Sequence, residues 1–300
     1  MNNIKVEFSI KDLENLSGIK AHTIRIWEKR YNLFQPKRTD TNIRFYTTES
    51  LQKILNVAFL NNYGYKISKI SLLKNDEISK LVNEISSKDL QLNSPAINSF
   101  KLAMITFNEN LFHKTYNDLI KLNSFKEIFY NTFLPLLHHI GLLWQTETIT
   151  PAHEHFISTL IKQKLLKSIE KTNEVEQNKL ERTFVLFLPE NEIHEIGLML
   201  INYELKNRGY QTVFLGQSIP LESLKDLMSL YDNITFISYF TIKPEKEDIQ
   251  NYLETFNQTI IHNTPNKLYI LGNMVKSLEL NKLPKNMSAF NTIEDLVKHL

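Results

Sequence analysis

Residues 183–197 of this 300-residue chain read TFVLFLPENEIHEIG. The first six residues form a continuous apolar run, which indicates a strand buried on both faces of a parallel sheet. The polar residues after it would lie at the carboxyl end of that strand, where open α/β sheets bind ligands. We therefore expect the pattern E-x-H-x-x-G, formed by Glu192, His194 and Gly197, to mark a ligand site.

Similar apolar runs recur through the C-terminal part of the chain. They cover 183–188, 211–215, 234–238 and 268–271, with a weaker candidate at 287–290, and the helical stretches between them lie near 194–208, 221–231 and 244–256. This alternation predicts a doubly wound parallel sheet. Gly197, Gly216 and Gly272 fall at or near strand ends, where the backbone is expected to approach a ligand closely.

The region before the sheet has helical spacing without strand-like alternation. Residues 96–173 have the length and periodicity of a four-helix bundle. Within it, Trp144 is followed after nine residues by Glu154 and His155, and Pro151 suits the first turn of the last helix. These three side chains form a second candidate site, although Trp144 could be a bundle-core residue and Glu154 and His155 a local pair. His194 could likewise cap its helix without binding a metal.

The N-terminal head has a helix-turn-helix pattern. Ser9 to Asp12 resembles a capping box, and Gly18 supplies the turn before a second helix near residues 20–30. On that helix Ile24, Trp27 and Tyr31 share one face, while the opposite face carries His22, Arg25 and Lys29. The segment Ile43-Arg44-Phe45-Tyr46 predicts a short wing in which Ile43 and Phe45 are buried and Arg44 and Tyr46 point outward.

Charge supports a nucleic-acid partner for the head. Residues 1–75 hold thirteen Lys and Arg against six Asp and Glu, whereas residues 76–300 hold twenty-two against twenty-seven. A local excess of this size is typical of binding to a phosphate backbone.

Composition excludes several classes of site. The chain contains no cysteine, which excludes disulfides, thiolate metal sites and cysteine nucleophiles. Its apolar runs stop well short of the ~20 residues that a membrane span requires, and no signal pattern begins the chain. We therefore expect a cytoplasmic protein without a membrane partner.

The sequence FSIKDLENLSGIKAHTIRIWEKRYNLFQPKRTDTNIRFYTTESLQKI, which begins at Phe8, resembles the MerR-type winged helix-turn-helix family. The likeness covers roughly residues 6–75. It implies a homo-oligomeric (dimer or tetramer) transcription regulator that binds a double-stranded DNA operator. The residues expected to contact DNA are His22, Thr23, Arg25, Lys29, Arg30, Lys37, Arg38, Arg44 and Tyr46.

The remainder resembles the cobalamin-binding domain family, in which a helical bundle caps a Rossmann-like domain. The likeness implies that His194 is the lower ligand of the cobalt and that Glu192 fixes its tautomer. Trp144, Glu154 and His155 resemble the upper-face residues of the light-sensing CarH-type subgroup, which cover adenosylcobalamin. The expected cofactor-binding set is Trp144, Glu154, His155, Glu192, Ile193, His194, Gly197, Gly216, Ser238, Gly272 and Asn273.

Three departures accompany this resemblance. The family's Ser-x-Leu-like strand end stands here as Ser238-Tyr239-Phe240, its usual Gly-Gly pair stands as Gly272-Asn273, and a histidine that follows the tryptophan in some members is Gln145. We expect a cobalamin-dependent repressor, not an enzyme, whose assembly and operator binding respond to adenosylcobalamin and light. A cobalamin-independent regulator, a dark corrinoid sensor and a corrinoid methyl carrier remain alternatives. The expected domains are a head (1–75), a linker (76–95), a bundle (96–178) and a Rossmann-like domain (179–300).

Overall fold

A computed structural model of the chain describes residues 7–86, 95–172, 179–278 and 283–300. The chain divides into two compact units, Met1–Ile161 and Lys162–Leu300. The predicted domain limits at 75, 95 and 178 remain predictions. In the described part of the chain, no helix is both long enough and apolar enough to cross a membrane.

The head forms the predicted winged helix-turn-helix. Ser9 and Asp12 make the expected capping box, and Gly18 ends the first helix with a left-handed backbone conformation (φ 78°). Leu13, Leu16, Ile24 and Trp27 are buried between the helices. The elements are α1 (Ile10–Ser17), α2 (Ala21–Tyr31), the antiparallel pair β1 (Lys37–Arg38) and β2 (Arg44–Phe45), and α3 (Thr48–Asn62).

The predicted inside and outside positions of the wing are wrong at two residues. Ile43 is 64% exposed, whereas Tyr46 is fully buried. Simple alternation fails because Tyr46 leaves β2 and pairs with Phe8, through two backbone hydrogen bonds of 2.9 and 2.8 Å. That pairing turns the Tyr46 ring into the core of the head.

The predicted linker is partly helical. After the short helix α4 (Ile67–Ile70), α5 (Asn75–Ser86) occupies most of the first half of the segment 76–95. Its polar composition suggested a linker, but Ile78 and Val82 form a buried apolar edge four residues apart, and α5 packs on α3. Residues 87–94 of this segment lie outside the described residues.

Four consecutive helical segments follow, as the periodicity of residues 96–173 predicts. A π-helical segment, Phe129–Phe133, joins two of these helices without a break, and the ring of Phe133 packs with Phe100 and Phe112. The helices are α6 (Pro95–Ile105), α7 (Glu109–Ile120), α8 (Phe125–Ile128) continuing into α9 (Leu134–Gln145), and α10 (Pro151–Lys171).

The second unit contains the predicted parallel sheet. Its five strands lie in the order β4-β3-β5-β6-β7. After β3 the chain forms β4, which pairs with one side of β3, and then β5, which pairs with the other side of β3. The carboxyl ends of β3 and β5 therefore form the topological switch point of the sheet. The strands are β3 (Lys179–Pro189), β4 (Tyr210–Ile219), β5 (Ile234–Tyr239), β6 (Lys267–Leu271) and β7 (Met287–Ala289).

Each strand expected from the sequence is present, including the weak fifth one. The helices are shorter than predicted at their N-terminal ends, because residues 194–195 and 244–248 belong to the loops after β3 and β5. The helices after β3 are α11 (Ile196–Lys206), a 3-10 turn (Leu221–Leu224) with α12 (Lys225–Met228), α13 (Ile249–Phe256) continuing into a π-helical segment (Asn257–Ile261), a second 3-10 turn (Asn273–Ser277) and α14 (Ile293–His299).

Candidate functional site

The loop after β3 is organised around one buried carboxylate. Glu192 is fully buried, and its two oxygens accept six N–H hydrogen bonds. Oε1 accepts from the backbone of Ile193 (2.9 Å) and His194 (3.0 Å) and from Nδ1 of His194 (2.6 Å). Oε2 accepts from the backbone of the loop after β5, namely Thr241 (3.1 Å), Ile242 (2.7 Å) and Lys243 (2.9 Å). A single side chain thus joins the loops at the switch point.

These hydrogen bonds keep Glu192 ionised. Burial alone would raise its pKa, but the hydrogen bonds from His194 and from the backbone of Ile242 and Lys243 outweigh it and lower the pKa to about 2. Glu192 therefore carries a negative charge at neutral pH and acts only as an acceptor.

The charge on Glu192 fixes the tautomer of the neighbouring imidazole. Because the carboxylate can only accept, Nδ1 of His194 must carry the proton, and in the neutral ring the lone pair lies on Nε2. The His194 side chain is 40% exposed, and the adjacent Ile193 is 54% exposed. An imidazole that is held by a carboxylate on one nitrogen and exposed at the surface is the usual form of a histidine metal ligand.

The glycines near the strand ends contact the protein's own chain. A Cβ atom on Gly197 would lie 2.9 Å from the ring of Tyr239, and one on Gly272, where φ is +107°, would lie 2.3 Å from the carbonyl oxygen of Phe240. Gly216 has a φ of +82°, with an oxygen of Glu195 3.5 Å from the built Cβ. Internal packing thus accounts for Gly197 and Gly272 without the ligand contact expected from the sequence.

Three hydroxyl oxygens in the described strands of the sheet are buried without a hydrogen-bond partner, namely Oγ1 of Thr212, Oγ1 of Thr235 and Oγ of Ser238. Ser238, the penultimate residue of β5, is fully buried, and its Oγ makes no hydrogen bond. Of the three, only Ser238 lies at the carboxyl end of its strand, where a ligand could complete its hydrogen bonding; an unpaired buried hydroxyl otherwise costs about 1–3 kcal/mol. Asn273 is exposed and accepts a hydrogen bond from Lys276 (3.0 Å).

The residue types of the second unit fit a corrinoid. His194 offers one oriented imidazole, and Ser238 offers a buried hydroxyl on the neighbouring strand. Among the described residues, no group of three His, Asp or Glu side chains could hold a metal ion by itself.

The second predicted constellation lies in the first unit. Trp144 is in the last turn of α9 and is 46% exposed, so that it is not a bundle-core residue. Glu154 and the more exposed His155 lie in the first turn of α10, with Nε2 of His155 3.6 Å from Oε2 of Glu154. The side chain of Gln145 is outside the described part of the structure.

The head presents most of its predicted DNA contacts to the surface. His22, Arg25, Lys29, Arg30, Lys37 and Arg38 are exposed, and Thr23 is half-buried. Nη1 of Arg38 donates to Oδ1 of Asn42 (2.6 Å).

Tyr46 is a correction to the predicted set. Its hydroxyl donates to Glu28 on α2, and this contact, together with burial, raises the pKa of Tyr46 well above its usual range. Nε of Arg44 lies 3.6 Å from the same carboxylate. Glu28, which the sequence did not single out, therefore anchors the wing to the recognition helix, and Tyr46 is not available to a phosphate.

Sequence comparisons identify both regions. Residues 8–77 match the family model described as MerR HTH family regulatory protein, and residues 96–166 match the model described as B12 binding domain. The chain is 23% identical over 269 residues to the HTH-type transcriptional repressor CarH of Myxococcus xanthus, a match that covers 86% of this chain and 87% of CarH. It is also 23% identical to the repressor CarA of the same organism, over 72% of this chain and 70% of CarA.

A solved structure supports the fold. The monomethylamine corrinoid protein of Methanosarcina barkeri matches 68% of this chain and 92% of its own, with a TM-score of 0.51 and 15% sequence identity. At that identity the likeness concerns the fold alone. The family models and the two repressors, which cover most of the chain, carry the assignment. The chain therefore carries a helix-turn-helix head of the MerR type followed by a B12-binding domain, and over most of its length it is similar to the repressors CarH and CarA.

Proposed function

We propose that this protein is a transcriptional repressor that binds adenosylcobalamin through His194 and releases DNA in response to light. The observation that carries the proposal is the hydrogen bond from Nδ1 of His194 to the buried carboxylate of Glu192, which keeps the proton on Nδ1 and so makes Nε2 the nitrogen that would ligate cobalt. Ser238 would donate to or accept from the nucleotide tail of the corrinoid. When bound, the cofactor supplies a cobalt–carbon bond that light can cleave.

In this proposal Trp144, Glu154 and His155 cover the upper face of the cofactor. Trp144 offers an exposed aromatic face, and Glu154 offers a carboxylate that can accept hydrogen bonds from ribose hydroxyls. These contacts require an adenosyl group, so that its loss would alter the packing of the ends of α9 and α10. A corrinoid methyl carrier would not need them, and the MerR-type head disfavours that enzyme class.

The head would bind the operator in the manner of a winged helix-turn-helix. His22, Thr23 and Arg25 would enter the major groove, while a set of basic residues would contact phosphates: Lys29, Arg30, Lys37, Arg38 and Arg44. Several heads in one homo-oligomer would bind by avidity, so that dissociation of the assembly would end repression without changing any base contact. Binding through this many phosphates is steeply salt-dependent.

The test records the absorption spectrum and gel-filtration size of the full chain with adenosylcobalamin, in the dark and after green light. The wild type is expected to show a His-ligated corrinoid and a light-dependent change in both spectrum and size. His194→Ala is expected to lose imidazole ligation, whereas His262→Ala, an exposed histidine elsewhere in the same unit, should behave as wild type. Binding without a light response would indicate a dark corrinoid sensor, and full DNA binding with no corrinoid would exclude the proposal.

A further inference from the structure

The C-terminal end of α1 is capped by one side chain from the bundle. The last turn of α1 contains no basic residue of its own. Instead, the Nζ of Lys101, on α6, donates to the carbonyl oxygen of Leu16 at 3.1 Å. An ammonium group at a helix C-terminus satisfies an unpaired carbonyl and interacts favourably with the helix dipole. The head and the bundle therefore share a polar contact inside the first unit.

Lys101 has little other compensation for its charge. The residue is buried, and none of the ion pairs among the described residues involves it. Burial lowers its pKa to about 8. The neighbouring His139 has its pKa lowered to about 4 by burial and by the Lys101 charge, so that it adds no second cation at neutral pH. If α1 undocked, water would solvate the Lys101 ammonium, and that solvation would offset part of the free energy lost with the Leu16 hydrogen bond.

A second contact uses the adjacent residue of α1. Nδ2 of Asn15 donates to Oγ1 of Thr148 at 2.7 Å, and Thr148 is buried. Thr148 also exchanges a hydrogen bond of 2.9 Å with Thr146. Both threonines lie in the short loop that joins α9 to α10, between Trp144 and Glu154. The loop that separates the two proposed upper-face positions is thus bonded directly to the first helix of the head.

The docked head keeps its recognition surface open. Arg25, Lys29 and Lys37 are exposed while α1 is held by the bundle. Docking therefore fixes the direction in which the head points and does not cover it. A fixed direction matters because an oligomeric regulator must hold its heads at the spacing of the operator half-sites.

We propose that Lys101 and Thr148 form a latch, defined by their contacts with Leu16 and Asn15, that holds the head in a fixed orientation on the bundle. The latch rests on the proposed function in one respect: a ligand that moves Trp144 or Glu154 would shift the Thr148 loop and so loosen or tighten the head. Changes at the cofactor face would then reach DNA through head orientation, in addition to any change of assembly.

Hydrogen exchange of the full-length apoprotein tests the latch without a cofactor. Lys101→Met removes the hydrogen bond to Leu16, and Thr148→Val removes those with Asn15 and Thr146, while both keep side-chain size. We expect exchange in residues 10–31 to become faster by roughly fivefold, the effect of losing a hydrogen bond worth ~1 kcal/mol. Lys121→Met, which removes a surface ion pair, and Thr115→Val, which removes a hydroxyl bonded within its own helix, are the controls.

A reversible disulfide between the head and the bundle distinguishes loss of the latch from a folding defect. Because the natural chain has no cysteine, Asn15→Cys with Thr148→Cys introduces a single thiol pair. The oxidised pair should restore slow exchange in residues 10–31, and reduction should remove that protection. Unchanged exchange in both latch variants would overturn the latch.

The link to the cofactor face is decided separately. With adenosylcobalamin bound, the wild type should change its exchange in residues 10–31 between dark and light, and the oxidised pair should not. If the corrinoid binds and head exchange does not respond, the link is wrong although the proposed function stands. If no corrinoid binds, the proposed function fails, the link fails with it, and the apoprotein experiment still decides the latch.

Discussion

Replacing Glu192 by glutamine should destabilise the second unit and disorder the imidazole of His194. The carboxylate accepts three N–H bonds on each oxygen, and a glutamine amide would present its own NH₂ group to one of these sets. The wild-type pKa falls from 4.5 to about 2, which corresponds to about 3 kcal/mol of stabilisation at neutral pH. We expect Glu192→Gln to lose a free energy of that order.

The stability that Glu192 contributes depends on pH, and the direction of that dependence follows from its lowered pKa. Because folding lowers the pKa of Glu192, its stabilisation is fully present above pH 4.5 and is lost as the pH falls towards 2. The stability difference between the wild type and Glu192→Gln should therefore be largest near neutral pH and shrink through that acidic window. Glu190→Gln, at an exposed position two residues earlier, should show neither effect.

Hydrogen exchange in residues 183–206 and 234–245 is the suitable assay. Both tryptophans, Trp27 and Trp144, lie in the first unit, so that their fluorescence does not report on this loop. A loss of about 3 kcal/mol would accelerate exchange through local opening by roughly a hundredfold at pH 7. Equal exchange in the wild type and Glu192→Gln, or a difference that does not change between pH 5 and pH 3, would refute the assigned role of Glu192.

Three further changes test other parts of the structure. Lys37→Ala, at an exposed wing position, should weaken binding to any duplex and reduce the slope of log affinity against log salt by about one; an unchanged slope would remove Lys37 from the phosphate contacts. Tyr46→Phe should leave that slope unchanged. Because it removes the hydroxyl that donates to Glu28, it should lower the unfolding free energy of the head by about 1–2 kcal/mol. Denaturant titration of Trp27 fluorescence, in a Trp144→Phe background, measures this loss. Gly272→Ala should prevent folding of the second unit or lower its unfolding free energy by more than about 3 kcal/mol, because the new Cβ would meet the Phe240 carbonyl. Gly64→Ala has a similar φ but open space around the Cβ, so it should cost only about 1–2 kcal/mol. Circular dichroism follows both variants.

The strands and the imidazole pair were predictable because their signals are local. The runs at 183–188 and 234–238 are apolar on both faces, as buried parallel strands must be. The two-residue spacing of Glu192 and His194 allows the side-chain hydrogen bond within one loop. The weak run at 287–290 also formed a strand, because β6 offered it an edge to pair with.

The remaining features depend on partners that are distant in the sequence. Alternation placed Tyr46 on the outside, but its pairing with Phe8, thirty-eight residues earlier, sets the register of the wing. The position of Gly272 indicated a close approach and could not show that the approaching group is the Phe240 backbone. Nothing local to Lys101 or Thr148 indicates that they contact α1, since those partners lie 85 and 133 residues away.

The bond network of Glu192 also has a thermodynamic consequence. Since the same carboxylate orients His194 and holds the backbone of Thr241, Ile242 and Lys243, the imidazole is oriented only while the loop after β5 is folded. Any ligand that requires the oriented imidazole binds the folded unit and not the unfolded one, and so raises the melting temperature of that unit in a concentration-dependent way. Ligand concentration and the integrity of one loop are thereby linked, and the cellular abundance of this regulator would rise with the supply of its ligand.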